Sequence, residues 1–188
     1  MVVRHGETQW SASRRHTGRT DIDLTEAGRA AASLVRAELA AFTFELVLAS
    51  PLGRALETAR RAGLDPVVDA DLVEWDYGEY EGRTTEEIRR EIPGWSVWSH
   101  AITGGETVED VGRRADRVIE RMLPIEGNVC IVAHAHLLRI LAARWLELPP
   151  GAGQRFTLDT ATVSELGFER EARVIVRWNE RCGSGAAC

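Results

Sequence analysis

The chain has 188 residues, enough for one domain whose core needs neither disulfides nor a structural metal. Its 23 basic and 29 acidic residues leave a net charge of −6, the wrong sign for a nucleic-acid binder, and 44% hydrophobic residues exclude a largely disordered chain. No apolar run approaches the roughly 20 residues of a membrane span, no leader pattern precedes Arg4 and His5, and the cysteines show neither CxxC spacing nor a Cys/His cluster. The expectation is a cytoplasmic protein with no membrane partner, no nucleic-acid partner and no metal site.

Met1-Val2-Val3 reads as the end of a short buried strand that stops at Arg4, and residues 7–23 as a polar loop. A helix begins at Leu24-Thr25, capped by Thr25, with Ala27, Ala31, Leu34, Val35 and Leu39 at helical spacing. Leu46 to Ala49 is a short continuous apolar run suited to a buried parallel strand. Ser50-Pro51 predicts the start of the next helix, Ser50 as cap and Pro51 in the first position, ending near Gly63.

Pro66 to Val68 reads as a strand, and Thr84-Thr85-Glu86-Glu87 as the capping box of a short helix ended by Pro93. A longer helix starts at Thr107, with Val108, Val111, Ala115, Val118, Ile119 and Met122 on one face. Val129–Ala133 is a second buried strand, Leu137–Leu148 a helix, and Thr162–Phe168 and Arg173–Trp178 are late strands. Arg89-Arg90 and Arg113-Arg114 read as solvated helix faces, and His16 and His100 as polar residues without partners. Trp95 and Trp98 lie in a Pro/Gly-bounded segment suited to the wall of a pocket. No linker divides the chain, so one domain is expected over residues 1–181, followed by a flexible tail, 182–188.

Strands alternating with helices predict an α/β three-layer sandwich, a mostly parallel central sheet with helices on both faces. Ligands in such folds sit beyond the carboxyl ends of the strands. The segments there are Arg4-His5-Gly6, Ser50 to Arg54, and His134-Ala135-His136, so two His and two Arg meet on one edge. Two guanidinium forks match the oxygens of a compact dianion, helix N-termini after Ser50 and His134 add backbone donors, and a neutral imidazole can attack phosphorus.

Arg4-His5-Gly6-Glu7-Thr8 resembles the RHGE(S/T) signature of the histidine phosphatase superfamily, which includes the cofactor-dependent phosphoglycerate mutases. The likeness runs along nearly the whole chain: Thr17-Gly18 with Leu24-Thr25 and Gly28, Ser50-Pro51-Leu52-Gly53-Arg54-Ala55 with Thr58-Ala59, Leu72-Val73-Glu74 before Tyr77-Gly78 and Glu81-Gly82, Gly105-Glu106, and Val132-Ala133-His134. The resemblance implies a phosphoglycerate mutase-like fold, His5 as a nucleophile that becomes phosphorylated, Arg4, Arg54 and His134 as phosphoryl-binding groups, and Glu74 as proton donor. It implies neither metal nor organic cofactor. Ser11, Thr17, Gly18 and Ala135 fall at substrate-binding positions, Ser11 where many members have Asn and Ala135 where Gly is usual. Because Glu74 must carry a proton to act as an acid, turnover is expected to favour mildly acidic pH.

Mutase and phosphatase share the first step and differ in the acceptor. The stretch from Arg83 to Gly105 is short and shows no evident clamp for a carboxylate, which favours water as acceptor and a phosphomonoester as the small-molecule partner. The segments Glu74–Gly82 and His16–Asp21 resemble a narrower group of bacterial acid phosphatases and the fungal sedoheptulose bisphosphatase, implying a sugar phosphate or bisphosphate. Two alternatives stay open: a phosphoglycerate mutase, and a phosphate-pocket binding protein without turnover. A homodimer is also left open.

Overall fold

The computed structural model describes residues 1–183. Its strands are β1 (Val2–Arg4), β2 (Phe44–Ala49), β3 (Val67–Val68), β4 (Asn128–Ala133), β5 (Thr162–Glu169) and β6 (Ala172–Arg181). Its α-helices are α1 (Gln9–Ala12), α2 (Glu26–Leu39), α3 (Gly53–Arg61), α4 (Thr85–Glu91), α5 (Val108–Met122) and α6 (Ala135–Trp145). The strands form one sheet in the order β3-β2-β4-β1-β5-β6. The pairs β1/β4, β2/β4 and β2/β3 are parallel, whereas β5 is antiparallel to β1 and to β6, so β5 alone runs against the rest.

Alternation along the strands sorts the core into two layers. Val2, Leu48, Ile131 and Ala133 face α5 and α6, against Val111, Ala115, Val118, Leu137 and Leu141. Val3, Ala49, Cys130 and Val132 face the opposite way, onto Val35 and Leu39 of α2 and Ala55 and Ala59 of α3. Central β4 is apolar on both faces because both are covered. The expected three-layer α/β sandwich is therefore the observed one, and among the described residues no helix is long and apolar enough to cross a membrane.

Several local expectations are corrected. The 7–23 loop contains the single turn α1, for which Thr8 and Ser11 form a reciprocal capping box. The buried stripe of α2 is Gly28, Ala32, Val35 and Leu39, one residue later than the pattern of Ala27, Ala31 and Leu34, and Leu34 is 51% exposed. Small Gly28 lets the first turn of α2 lie against the Glu7 backbone, a contact that counting large apolar residues overlooks. Ser50 does not cap α3: the cap is Leu52, and Ser50 Oγ instead meets His134 Nε2 at 2.7 Å. Helix α6 begins two residues earlier than expected, directly at the end of β4. Of the expected tail 182–188, Cys182 packs partly buried against the α2–α3 layer, while 184–188 lie outside the described residues.

Candidate active site

The carboxyl ends of β1, β2 and β4 converge, and the residues that follow them build one polar cluster. His5 N donates to Ala133 O at 2.9 Å and Ser50 N to Val132 O at 3.1 Å, so the three strand ends are stitched together. Glycine is required next to His5 for space: a Cβ on Gly6 would stand 2.5 Å from Gly28 O, and one on Gly28 would stand 2.1 Å from Glu7 O. The loop after β1 thus lies flat on the first turn of α2, and Gly6 N donates to Thr58 Oγ1 of α3 at 2.9 Å.

His5 is 5% exposed. Its Nδ1 lies 2.6 Å from Gly6 O, which requires the proton on Nδ1 and leaves the Nε2 lone pair free. Burial, and then the Arg4 and Arg54 charges, hold its pKa well below the ordinary imidazole value of 6.5, so the ring is neutral at physiological pH. The His134 ring is centred 5.1 Å away and fully buried. Its Nδ1 accepts from Arg54 Nε at 3.3 Å, so Nε2 holds the proton and donates to Ser50 Oγ.

Arg54 has a completely buried side chain. Its guanidinium donates to Thr20 O and Gly18 O at 2.8 Å each and to Thr17 O at 3.2 Å, and pairs with Asp21 at 3.4 Å. It therefore fixes the 17–21 loop as well as supplying positive charge. Arg4 donates to Leu158 O, and its buried Nε has no partner. Leu158 O is itself held from the last strand, through Trp178 Nε1 to Thr157 O at 2.6 Å and Asp159 N to Asn179 Oδ1 at 2.7 Å.

Glu74 is 5% exposed. Its Oε1 accepts from Trp75 N and Leu137 N, both at 2.9 Å, and its Oε2 from His136 N at 3.1 Å. The first-turn amides of α6, expected to face an anion, are thus engaged by this carboxylate. Arg114 supports the same segment from below. It is buried, bridges to Glu106 at 2.8 Å, and donates to the carbonyls of Asp71, Val73 and Glu74. The expectation of a solvated Arg113-Arg114 face fails for Arg114 because residue 114 faces the 71–74 segment rather than water.

These groups open into a cavity of about 450 Å³, whose wall includes Arg4, His5, Ser11, Thr17, Glu74 and Ala135. Gly18, Arg54 and His134 are buried in the layer behind the cavity wall. Ser11 lines the cavity, but its hydroxyl is engaged by Thr8, accepting from its N at 2.9 Å and donating to its O at 3.0 Å. Gly18 is buried against the Glu74 segment: a Cβ there would meet Trp75 O at 2.6 Å.

The cavity also has walls that patterning does not reveal. His136 bonds Tyr77 Oη at 2.6 Å and is surrounded by Trp75, Trp98 and His16. His16, expected to lack partners, packs between Tyr77 and Trp95 and meets Thr85 Oγ1 at 3.2 Å, and burial lowers its pKa to about 4. Arg89 is exposed, as expected of a solvated face, and also lines the cavity, and Trp95 and Trp98 wall it as expected. Arg139 lies one helical turn beyond Ala135, a spacing that places both on one side of α6 and could have identified it.

Residues 1–181 match the family described as histidine phosphatase superfamily (branch 1). The chain belongs to that superfamily. It is 42% identical over 178 residues to an acid phosphatase of Mycobacterium tuberculosis, covering 92% of this chain and 88% of that protein. It is 35% identical over 183 residues to the sedoheptulose 1,7-bisphosphatase of Saccharomyces cerevisiae, covering 79% of this chain and 67% of that protein. The solved structure of a Mycobacterium tuberculosis open-reading-frame product superposes with a TM-score of 0.92 at 40% identity, covering 96% of each chain. This histidine phosphatase thus shares its fold and most of its length with enzymes of phosphate-ester chemistry.

Proposed function

We propose that the protein is a phosphomonoesterase of the acid phosphatase type, acting on small phosphorylated metabolites through a phosphohistidine on His5. The observation that carries this reading is the state of His5: buried, neutral, with Nδ1 tied to Gly6 O and Nε2 unpartnered in a cavity beside Arg4 and Glu74. The relatives that are named phosphatases support hydrolysis over transfer.

In the first half-reaction the Nε2 lone pair attacks phosphorus, the P–N bond forms and the bond to the leaving oxygen breaks. Glu74, in its protonated form, gives that oxygen its proton, and the alcohol departs. In the second half-reaction Glu74 accepts a proton from water as the water oxygen attacks phosphorus. The P–N electron pair returns to Nε2, giving inorganic phosphate and neutral His5. Arg4, with Arg54 and His134 behind it, opposes the charge that spreads over the equatorial oxygens, and contributes most in the transition state. The unpartnered Arg4 Nε–H is a donor available to that group.

The test is rapid quench under alkaline conditions with a ³²P-labelled phosphomonoester. Label that forms on His5 and decays to free phosphate at the rate of turnover supports a phosphatase. Label that persists until phosphoglycerate accepts it indicates a mutase. Binding without label indicates a phosphate-binding protein.

A further inference from the structure

All 23 Lys/Arg positions in the sequence are arginine, and no lysine occurs. Five of those arginines, 4, 14, 15, 89 and 139, line the cavity of His5, where Glu74 is the one carboxylate. Arg4 belongs with the phosphoryl group, and Arg15 is neutralised by Glu87 at 3.2 Å. Among the described residues, Arg14, Arg89 and Arg139 have no carboxylate within ion-pair distance. Arg89 Nε donates only to Trp95 O, at 2.7 Å, and Arg139 Nε and Nη2 only to Gly153 O and Gln154 O, at 3.1 Å each. The Arg139 guanidinium also lies over the Trp98 ring, 4.8 Å from its centre, which orients the fork without using its charge.

Arg14 is held at φ +58°, in the left-handed region that a non-glycine residue enters only at a cost. Its backbone N–H closes on Ser11 O at 3.2 Å to end α1, which turns residue 14 toward the cavity mouth. A chain with an acidic excess has therefore left three guanidinium groups without a carboxylate partner on one concave wall, Arg14 and Arg89 exposed and Arg139 half-buried, and their summed positive charge favours an anion there. The buried donors without partners point to the same place: both Arg4 Nε and Trp95 Nε1 belong to residues of this wall.

We infer that Arg14, Arg89 and Arg139 form a second anion site in the outer part of the cavity, so that the substrate carries a carboxylate or second phosphate besides the scissile phosphoryl group. The Trp95–Trp98 wall then covers the carbon chain between the two charged ends. This deepens the phosphomonoesterase reading and rests on it for the identity of the scissile group. The site chooses the substrate by differential affinity, since an ester with one charged end leaves the three guanidinium groups unpaired.

The experiment compares kcat/KM for substrates matched except at the far end. One pair is a hexose bisphosphate and a hexose monophosphate; the other is 3-phosphoglycerate and glycerol 3-phosphate. Wild type should favour the doubly anionic member of at least one pair by about tenfold or more, chiefly through KM. Which pair responds identifies phosphate or carboxylate. In R14Q, R89Q and R139Q that ratio should fall toward one.

A wild-type ratio near one in both pairs overturns the site, as does a ratio that all three variants preserve. Isothermal titration with the bisphosphate and with inorganic phosphate keeps the two readings apart. If no ester is turned over, the phosphatase reading fails, yet tighter binding of the bisphosphate by wild type but not R139Q still upholds the second site. Equal binding by both proteins removes it.

Discussion

At the residue level the chemistry rests on one proton position. The hydrogen bond from His5 to Gly6 O puts the proton on Nδ1, and burial beside Arg4 and Arg54 keeps the ring neutral well below pH 6.5. The nucleophile therefore stays competent in mildly acidic solution. A pH–rate profile for an alkyl phosphate should show no loss from His5 protonation between pH 8 and pH 6, and an acid limb centred near 6.5 would contradict this assignment. His5→Ala should abolish the acid-labile label and lower kcat by at least about 10³-fold. Glu74→Gln should slow alkyl phosphates by about 10²–10⁴-fold and p-nitrophenyl phosphate much less, because a good leaving group needs little help from an acid. Equal losses on both substrates would remove Glu74 from the proton-donor role and leave it as the cap of α6.

Among the elements, the least replaceable supports are those without a strong sequence signature. Arg114 sits in an ordinary-looking Arg-Arg pair, yet it joins α5 to Glu106 and to three carbonyls of the segment that presents Glu74. Arg114→Met leaves the Glu106 carboxylate and those carbonyls unpaired in a nearly dry site, and should cost about 3–5 kcal/mol, read by urea denaturation. Gly28→Ala would push a methyl group into Glu7 O, so it should lower kcat by displacing the His5 loop, with far-ultraviolet circular dichroism unchanged.

The elements themselves were largely legible. Continuous apolar runs at 46–49 and 129–133 gave both buried central strands, and the capping box at Thr84 and the apolar stripe after Thr107 marked two of the helices. The motif residues at strand ends then located the cluster. What stayed hidden depends on tertiary surroundings. Ser50 was drawn to His134 and left α3 to begin later, and His16 and Arg89 acquired roles only because α4 folds over the cavity mouth.

For the whole molecule, the neutral histidines are also a term in stability. His5, His134 and His136 are held well below pH 6.5, mainly by burial, and His16 to about 4. The unfolded chain therefore takes up protons first as the pH drops below about 6.5. The stabilisation is full above that value and is lost progressively toward acid, at up to about 1.4 kcal/mol per pH unit for each buried ring. Thermal unfolding should show Tm falling from pH 7 to pH 5 more steeply in wild type than in a His136→Phe variant. Parallel curves would remove the imidazoles as the cause. The acidity that still leaves His5 neutral thus already erodes the fold.

The reversed hairpin made by β5 and β6 reaches into the chemistry by a route of only three contacts: Trp178 and Asn179 fasten residues 157 and 159, and Leu158 between them aligns the Arg4 fork. Strain applied at the carboxyl end, by a bulky fusion or by tethering to a surface, would accordingly register first as poorer grip on inorganic phosphate, long before any cooperative melting.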